Sequence, residues 1–421
     1  MKLEYFVLRV EDTIATRRPN FNFGIETQSI TRGRSDRLRS ATRLNDAGAT
    51  SLPTISIEKA ELTRPQVEDE RRDPRNKAIA PIMPVSLIEP VAATDGINAR
   101  DPITRAKMER VARGVQKIGA LSSNYTGEGV TVAVLDTGII LDHPAFAGVT
   151  IERKNFTAGD DEDNNGHGTH CAGTIFGQDV DGVRIGVAPR AKAMIAKVVD
   201  AKKGASNDLL DALLWAQRGG ANVVSMSLGL DFAAMEESLR IDRQLPREIS
   251  VPLALQAYGD NLIAFSRFFE IAQASNRFAQ AMVLVAAAGN GSQRDVNPDF
   301  SAPAALPGAA DANVITVAAL QDVGDALKMA SFSNSGAVVC APGVDIVSAG
   351  FTGGLKAMSG TSMACPHVAG LAALWWQWSL NRNDPDPAAQ ARSRLRASCV
   401  LDGLAAIEPE DRGSGLPRAP Q

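Results

Sequence analysis

The chain has 421 residues, enough for one large domain and a smaller second one. Its composition is that of an ordinary globular protein, and its formal net charge of −4 gives no reason to expect nucleic acid or an anionic membrane as the main partner. No apolar run approaches the roughly 20 residues that span a bilayer. The first residues contain no apolar core of about 7 to 15 residues, so we expect no secretory signal and a cytoplasmic location.

The composition and pattern of residues 1–96 predict a small α+β module. Short strand-like segments lie at 3–10, 54–62 and 76–83, and a charged, helix-compatible stretch, RPQVEDERRD, separates the last two. The polar residues 11–50 predict a mobile loop between the first two strands.

Residues 97–400 alternate between apolar strands and helices. Five short, nearly continuous apolar runs fit parallel strands buried on both faces, and helical segments such as NDLLDALLWAQRGG separate several of them. This pattern predicts an α/β fold, with a mostly parallel central sheet and helices on both faces. The Pro- and Gly-rich residues 401–421 predict a flexible C-terminal tail. The apolar runs are VTVAVLDTGI (130–139), KAMIAKVVD (192–200), ANVVSMSLG (221–229), AMVLVAAAGN (281–290) and NVITVAAL (313–320).

Three candidate catalytic residues follow these elements. Asp136 ends the run VAVLD, His167 lies in the glycine-flanked NNGHGTHCAG, and Ser362 lies in GTSMACPHVAG at the predicted start of a long apolar helix. A serine hydroxyl becomes a good nucleophile when an imidazole accepts its proton, and a carboxylate holds that imidazole in the required tautomer. Sites in parallel sheets gather at the carboxyl ends of strands, where these residues are expected.

The stretches VAVLDTGI, NGHGTHCAG and SGTSMACPHVAG, in this order, resemble the subtilisin-like serine proteases, over roughly residues 97–400. The resemblance implies a serine endopeptidase whose catalytic residues are Asp136, His167 and Ser362. AAAGN resembles the family's oxyanion-hole segment, so Asn290 is expected to hold the oxyanion together with the Ser362 N–H. The family requires no cofactor for its chemistry; structural calcium is common in it, but no site is assigned here.

The resemblance also implies walls for a substrate cleft that binds a polypeptide. The SMSLG segment resembles the strand that pairs with extended substrate, and the AAAGN segment resembles the opposite wall. Their small, uncharged residues favour an apolar or medium-sized side chain before the cleaved bond. The substrate-binding residues expected on this basis are Ser225, Met226, Ser227, Leu228, Gly229, Ala287, Ala288 and Gly289.

Two metal sites can be weighed against this interpretation. DEDNNG at 161–166 imitates the start of an EF-hand loop, but Ala172 stands where that loop needs a bidentate glutamate. His167, His170 and Cys171 could suggest zinc, but no second ligand cluster has matching spacing.

The remaining histidines and the cysteines have simpler interpretations. We expect His143 to be a turn residue and His367 to pack within the serine-bearing helix. Cys171, Cys340, Cys365 and Cys399 lack paired spacing and indicate reduced thiols. An alternative is that oxidants or mercurials reach the site through Cys171 and Cys365.

The extension and one insertion raise further hypotheses. Residues 1–96 resemble a family propeptide, a folded intramolecular inhibitor, and residues 81–92 could lie in the cleft as an extended strand or form an exposed linker. The insertion at 231–280 could narrow the pocket rim, recognise a dedicated substrate, or be an inert surface addition. Two alternatives to a broad protease are a peptide-binding module without turnover and a processing protease with one partner.

Overall fold

The computed structural model describes residues 2–11, 54–91, 101–201, 203–274, 282–305, 308, 311–324 and 326–421. The loop predicted at 11–50 lies outside the described residues, except for Glu11. No helix within the described part of the chain is long and apolar enough to cross a bilayer.

The N-terminal extension folds as the predicted small α+β module. Its three antiparallel strands have the order β2-β1-β3. Helix α1 begins with a capping box in which the backbone N–H of Thr63 donates to Gln66 Oε1 at 2.9 Å. The elements of this module are β1 (Lys2–Glu11), β2 (Thr54–Thr63), α1 (Arg64–Arg71) and β3 (Asn76–Pro81).

After the module, the chain forms the α/β domain that the sequence predicts. Its elements, in chain order, are β4 (Pro84–Leu87), α2 (Pro102–Glu109), α3 (Arg113–Lys117), β5 (Thr131–Asp136), β6 (Ile151–Asn155), α4 (His167–Phe176), β7 (Lys192–Lys197), β8 (Gly204–Ala205), α5 (Ser206–Arg218), β9 (Val223–Met226), β10 (Leu228–Leu230), α6 (Phe232–Ile241), α7 (Arg247–Ala274), β11 (Val283–Ala287), β12 (Val314–Asp322), β13 (Leu327–Met329), β14 (Val339–Pro342), β15 (Ile346–Ala349), β16 (Leu355–Met358), α8 (Thr361–Leu380), α9 (Pro387–Ala397) and α10 (Pro409–Arg412).

The central sheet has the strand order β13-β12-β11-β9-β5-β7-β6, with β14 also paired to β12. All of these pairs are parallel except β12 with β13. Strands β9 and β11 are buried along their whole length, which explains their apolar sequences. The sheet confirms the predicted mostly parallel architecture.

Helix α8 is buried for most of its length, and its alanines and glycine let it lie close to its neighbours. It packs against β9, β11, β12 and α4. Gly370 is one such contact, since a Cβ there would collide with Val187. The helix therefore carries its first residues, including Ser362, into the middle of the domain.

The prediction of a flexible tail at 401–421 is wrong. Leu416 and Ala419 are buried, and Val400 and Leu416 exchange backbone hydrogen bonds. The Ala419 N–H donates to the carbonyl oxygen of Ile118, and Trp375 Nε1 donates to the carbonyl oxygen of Arg418. Proline and glycine indicate irregular backbone, but here long-range hydrogen bonds and apolar burial hold that backbone in place.

The inserted segment forms α6 and α7, and it is not an inert surface addition. Helix α7 packs against β3 of the N-terminal module. The buried Asn261 side-chain amide donates to the carbonyl oxygen of Pro81 at 2.8 Å. Phe265, Phe268 and Phe269 belong to the same hydrophobic core as Phe6 of β1. The insertion therefore joins the extension to the α/β domain.

Candidate active site

Asp136 and His167 meet at the carboxyl end of β5. Asp136 is the last residue of β5, and His167 is the first residue of α4. Asp136 Oδ1 lies 2.7 Å from His167 Nδ1, and both side chains are buried. Gly168 permits this approach, because a Cβ there would collide with the carbonyl oxygen of Gly138. A carboxylate on Nδ1 leaves Nε2 as the nitrogen that can accept a proton.

The electrostatics of the pair favour a protonated imidazole. Burial opposes the charged form of His167, but the charge and hydrogen bond of Asp136 outweigh it, with smaller contributions from Asp163 and Glu89. The pKa of His167 is therefore raised. Its Nε2 is buried and has no hydrogen-bond partner among the described residues.

Asp163 links the end of β5 to the start of α4, and the sequence interpretation missed this role. Its buried carboxylate accepts hydrogen bonds from Thr137 Oγ1 at 2.8 Å, from the Gly166 N–H at 2.8 Å and from Thr169 Oγ1 at 2.6 Å. Burial opposes ionisation, but these hydrogen bonds outweigh it and lower the pKa of Asp163. The pattern DEDNNG contains this residue, which the sequence interpretation considers only as a metal ligand.

Ser362 lies in the first turn of α8, with its side chain buried. Pro366, four residues later, has no N–H for the carbonyl oxygen of Ser362. Ser227 Oγ donates to that oxygen at 3.2 Å, and the Cys171 thiol donates to it at 3.4 Å. Cys171 Sγ also lies 3.8 Å from His167 Nδ1, so one thiol contacts both the histidine and the serine residue.

The Ser362 hydroxyl donates a hydrogen bond of 2.7 Å to the carbonyl oxygen of Ile88, in the extension. Asn290 contacts the next residue of the same segment: its Nδ2 donates to the carbonyl oxygen of Glu89 at 2.8 Å. Asn290 Oδ1 accepts from the N–H and the hydroxyl of Thr361 at 2.9 and 2.8 Å. Thr361 thereby fixes which end of the Asn290 amide faces the segment.

Residues 84–91 lie across these side chains as an extended strand. Strand β4 pairs antiparallel with β10 on one side and with β8 on the other. The Ile88 N–H donates to the carbonyl oxygen of Ser227 at 3.3 Å, and the Val91 N–H donates to that of Ser359 at 2.8 Å. Of the two alternatives for 81–92, the described part takes the strand and not the exposed linker.

The expected substrate-binding residues divide into two groups. Leu228 pairs with Leu87, and Gly229 with Ser86, while Gly229 and Gly289 line a cavity of about 520 Å³ beside Glu89. Ser227 belongs to the same group, because its carbonyl oxygen accepts from the Ile88 N–H. The other four contact the core: Ser225 Oγ lies 3.5 Å from Cys365 Sγ, and Met226, Ala287 and Ala288 are fully buried. The cavity instead includes Leu230, Asp231, Phe232, Ala305 and Asn334, which the sequence interpretation did not assign.

Two further histidines, His170 and His367, and three of the four cysteines are fully buried. Burial lowers the pKa of His170 to about 3 and that of His367 to about 4. His143 accepts a hydrogen bond from the Ala145 N–H, as a turn residue does. All four cysteines are free thiols, and burial raises the pKa of Cys365 to about 11 and also raises the pKa of Cys171. Such thiols react weakly with oxidants and metals.

Ligand-like groups converge at one place within the described residues: Asp136, His167 and Cys171 lie close enough to share an ion. Their geometry is that of a carboxylate–imidazole pair with a protonated thiol beside it. His170 Nε2 is directed elsewhere, 3.0 Å from the carbonyl oxygen of Ile346. The donors on Asp163 already occupy the carboxylate that the EF-hand-like pattern would offer to calcium.

The site combines a carboxylate–imidazole pair, a serine at a helix start and an asparagine amide beside a parallel sheet. This combination defines the class of the triad-type serine hydrolases. The subtilase family model matches residues 127–399. The chain therefore belongs to the subtilase family, which confirms the resemblance seen in its motifs.

Individual relatives agree with this assignment. The chain is 36% identical over 260 residues to Subtilisin-like protease 3 of Pseudogymnoascus destructans, covering 59% of this chain and 52% of that protein. It is 35% identical over 287 residues to a cuticle-degrading serine protease of Arthrobotrys oligospora, covering 65% and 57%. It is 34% identical over 320 residues to the subtilisin-like serine protease Pen ch 13 of Penicillium rubens, covering 73% and 66%. The chain thus spans little more than half the length of the first two relatives.

Proposed function

We propose that the chain is a serine endopeptidase in which Asp136, His167 and Ser362 form the catalytic triad, and that its N-terminal extension occupies and inhibits the same site. The observation that carries this proposal is the pair of contacts on one strand of backbone: Asn290 donates to the carbonyl oxygen of Glu89, and Ser362 Oγ contacts that of Ile88. The nucleophile and the oxyanion donor thus contact adjacent carbonyl groups of one extended segment, in the place where a peptide substrate would bind.

The reaction follows from the roles of these groups. Ser362 Oγ attacks the substrate carbonyl carbon while His167 Nε2 accepts its proton, and Asp136 stabilises the resulting imidazolium. The Asn290 amide and the Ser362 N–H stabilise the oxyanion. His167 then protonates the leaving amine, and water hydrolyses the acyl-enzyme in the same way.

The substrate is a polypeptide bound as an additional strand between β8 and β10, as residues 84–87 are bound here. The cavity beside Glu89 is lined by Gly229, Leu230, Phe232, Gly289 and Ala305, among other residues. These walls favour an apolar side chain before the cleaved bond.

Inhibition by the extension follows from competition for the same backbone groups. Residues 85–87 pair with β10, and the carbonyl oxygen of Ile88 accepts from Ser362, so a substrate strand has to displace this segment. Because the extension is part of the chain, its effective concentration at the site is high.

A fluorophosphonate probe tests the proposal. Prolonged incubation should label the full-length chain at Ser362, and the Ser362→Ala variant should remain unlabelled. Labelling that persists in the variant, or a wild-type chain that neither reacts nor cleaves casein, would refute it. Ser122→Ala, at an exposed serine that makes none of the contacts of this site, is a control and should still be labelled.

A further inference from the structure

Asp231, the first residue of the insertion at 231–280, contacts the strand that lies across the proposed active site. Its Oδ2 accepts a hydrogen bond from Ser86 Oγ at 2.8 Å, and its N–H donates to the carbonyl oxygen of Pro84 at 2.9 Å. One residue of the insertion therefore binds both the backbone and a side chain of this strand.

The side chain of Ser86 points away from the core that its neighbours enter. Val85 and Leu87 are buried in one hydrophobic core, and successive side chains of a strand alternate in direction. Ser86 itself is half-buried and pairs with Gly229, which has no side chain. Ser86, Gly229 and Asp231 also line the cavity of about 520 Å³, so a larger side chain has room at the position of Ser86.

The insertion holds the carboxylate of Asp231 in place. Its Oδ1 accepts from the Ala234 N–H at 2.9 Å and so caps the start of α6. The cap fixes the side chain and leaves Oδ2 for the strand. The described residues that line the cavity include no lysine or arginine, and Ser86 Oγ is a neutral donor. An anionic acceptor therefore faces the bound strand at this position.

We propose that Asp231 is a specificity-determining residue, which favours polypeptides with a hydroxyl or cationic side chain at the position of Ser86 and disfavours an acidic one. The inference rests on the proposed function, because it requires a substrate strand to replace residues 84–87. A hydroxyl or an ammonium group donates to a carboxylate, and such hydrogen bonds are stronger than those between neutral groups. An aspartate or glutamate at this position would instead place two negative charges side by side.

Substitutions of Ser86 in the full-length chain test this preference on the extension itself. A weaker contact should release the extension more often, so that a fluorophosphonate labels Ser362 faster. We expect Ser86→Ala to label about 3- to 10-fold faster than the wild type, and Ser86→Glu about tenfold faster or more. Ser86→Lys should label no faster than the wild type. Ser56→Ala, in β2 of the same extension, is the control and should label at the wild-type rate.

Substitution of Asp231 should remove the preference. Asp231→Asn loses the charge but keeps a side chain that caps helices well. In this background, Ser86→Lys and Ser86→Glu should label at similar rates. Asp242→Asn, at the other end of α6, is the matched control and should preserve the difference between them.

Cleavage of casein, mapped by mass spectrometry, extends the test to a substrate. The wild type should disfavour aspartate and glutamate at one fixed position before the cut, and Asp231→Asn should accept them there. Because the preference against an acidic side chain is electrostatic, it should also weaken as the salt concentration rises.

The outcomes separate this inference from the proposed function. A wild-type chain that is neither labelled at Ser362 nor able to cut casein refutes the proposed function, and the inference fails with it. If the chain is labelled but Ser86→Lys and Ser86→Glu label at equal rates, the inference alone is wrong. It is also wrong if their difference persists in Asp231→Asn, or if Asp231→Asn and the wild type accept acidic residues of casein equally.

Discussion

The Asn290 amide donates to the carbonyl oxygen of Glu89 at 2.8 Å, while its own oxygen is held by Thr361. In the proposed mechanism this residue is the oxyanion donor, and Thr361 fixes its orientation. The same amide would face the oxyanion of a bound substrate. An asparagine amide supplies both the donor to Glu89 and the acceptor for Thr361.

Replacing Asn290 tests that donor. We expect Asn290→Ala to lower kcat by about 10²–10³, with a smaller change in KM, because the amide acts on charge that develops in the transition state. Steady-state kinetics with a peptide substrate measure both constants. Asn313→Ala, an exposed asparagine just before β12, should leave them unchanged. A loss confined to KM would contradict the oxyanion role.

Asp163→Asn should disturb both stability and catalysis. The amide that replaces one carboxylate oxygen faces the donors of Thr137, Gly166 and Thr169, so we expect a loss of about 1–3 kcal/mol in the free energy of unfolding. His167 is then positioned less precisely, so kcat should fall although the protein still folds. Urea unfolding and kinetics measure the two effects. Asp161→Asn, exposed in the same loop, should be nearly neutral.

The lowered pKa of Asp163 also predicts a pH dependence. Its folded pKa lies below the unfolded value of about 3.9. Its stabilising contribution is therefore present above that value and is lost as the pH falls through the folded pKa. In acid, the free energies of unfolding of the wild type and Asp163→Asn should converge. A difference between the two that stays the same at all pH values would contradict this expectation.

The raised pKa of His167 can be measured directly in the intact chain. Burial lowers it, and the Asp136 carboxylate raises it by more, so the imidazole should titrate above about 6.5 by NMR. Asp136→Asn should lower the value strongly, and Glu89→Gln should lower it slightly. His170 and His367, with pKa values of about 3 and 4, stay neutral across this range. Activity needs the neutral ring and should rise as the pH increases through the His167 value.

The Lys197 ammonium is 2% exposed and binds the loop that precedes His167. It donates to the carbonyl oxygens of Asp160 and Glu162 at 2.9 and 2.8 Å and lies 3.1 Å from Asp200 Oδ1. Lys197→Met should cost about 1–3 kcal/mol in the free energy of unfolding, because it removes hydrogen bonds to two backbone carbonyls and the ion pair with Asp200. Lys192→Met, an exposed lysine at the start of the same strand, is the matched control. Equal midpoints of urea unfolding would refute this role.

How far the sequence predicts this molecule depends on whether a feature is local. The strands of the sheet are continuous apolar runs, and Asp136, His167, Ser362 and Asn290 lie in recognisable motifs, so both could be predicted. Features set by contacts between distant parts of the chain could not be predicted. The tail at 401–421 has the Pro- and Gly-rich composition of a flexible terminus, yet it packs against residues near 118 and 375.

The register of the extension is a second non-local feature. Prolines at 81, 84 and 90 fit both a linker and a bound strand, and only pairing with β10 distinguishes the two. The cavity residues Leu230 and Phe232 were missed for a similar reason. Leu230 directly precedes the insertion at 231–280 and Phe232 is its second residue, where the family motifs do not extend.

The contact between the insertion and the extension supplies the last prediction. Asn261 of α7 donates to the Pro81 carbonyl oxygen, three residues before the strand that covers the site. Asn261→Ala leaves that buried oxygen unpaired, at a cost of about 1–3 kcal/mol, and should favour release of the extension. Fluorophosphonate labelling of Ser362 should then become faster, whereas Gln256→Ala, one turn earlier on α7, should label at the wild-type rate. If Asn261→Ala lowers the thermal stability but leaves the labelling rate unchanged, α7 does not hold the inhibitory segment in place.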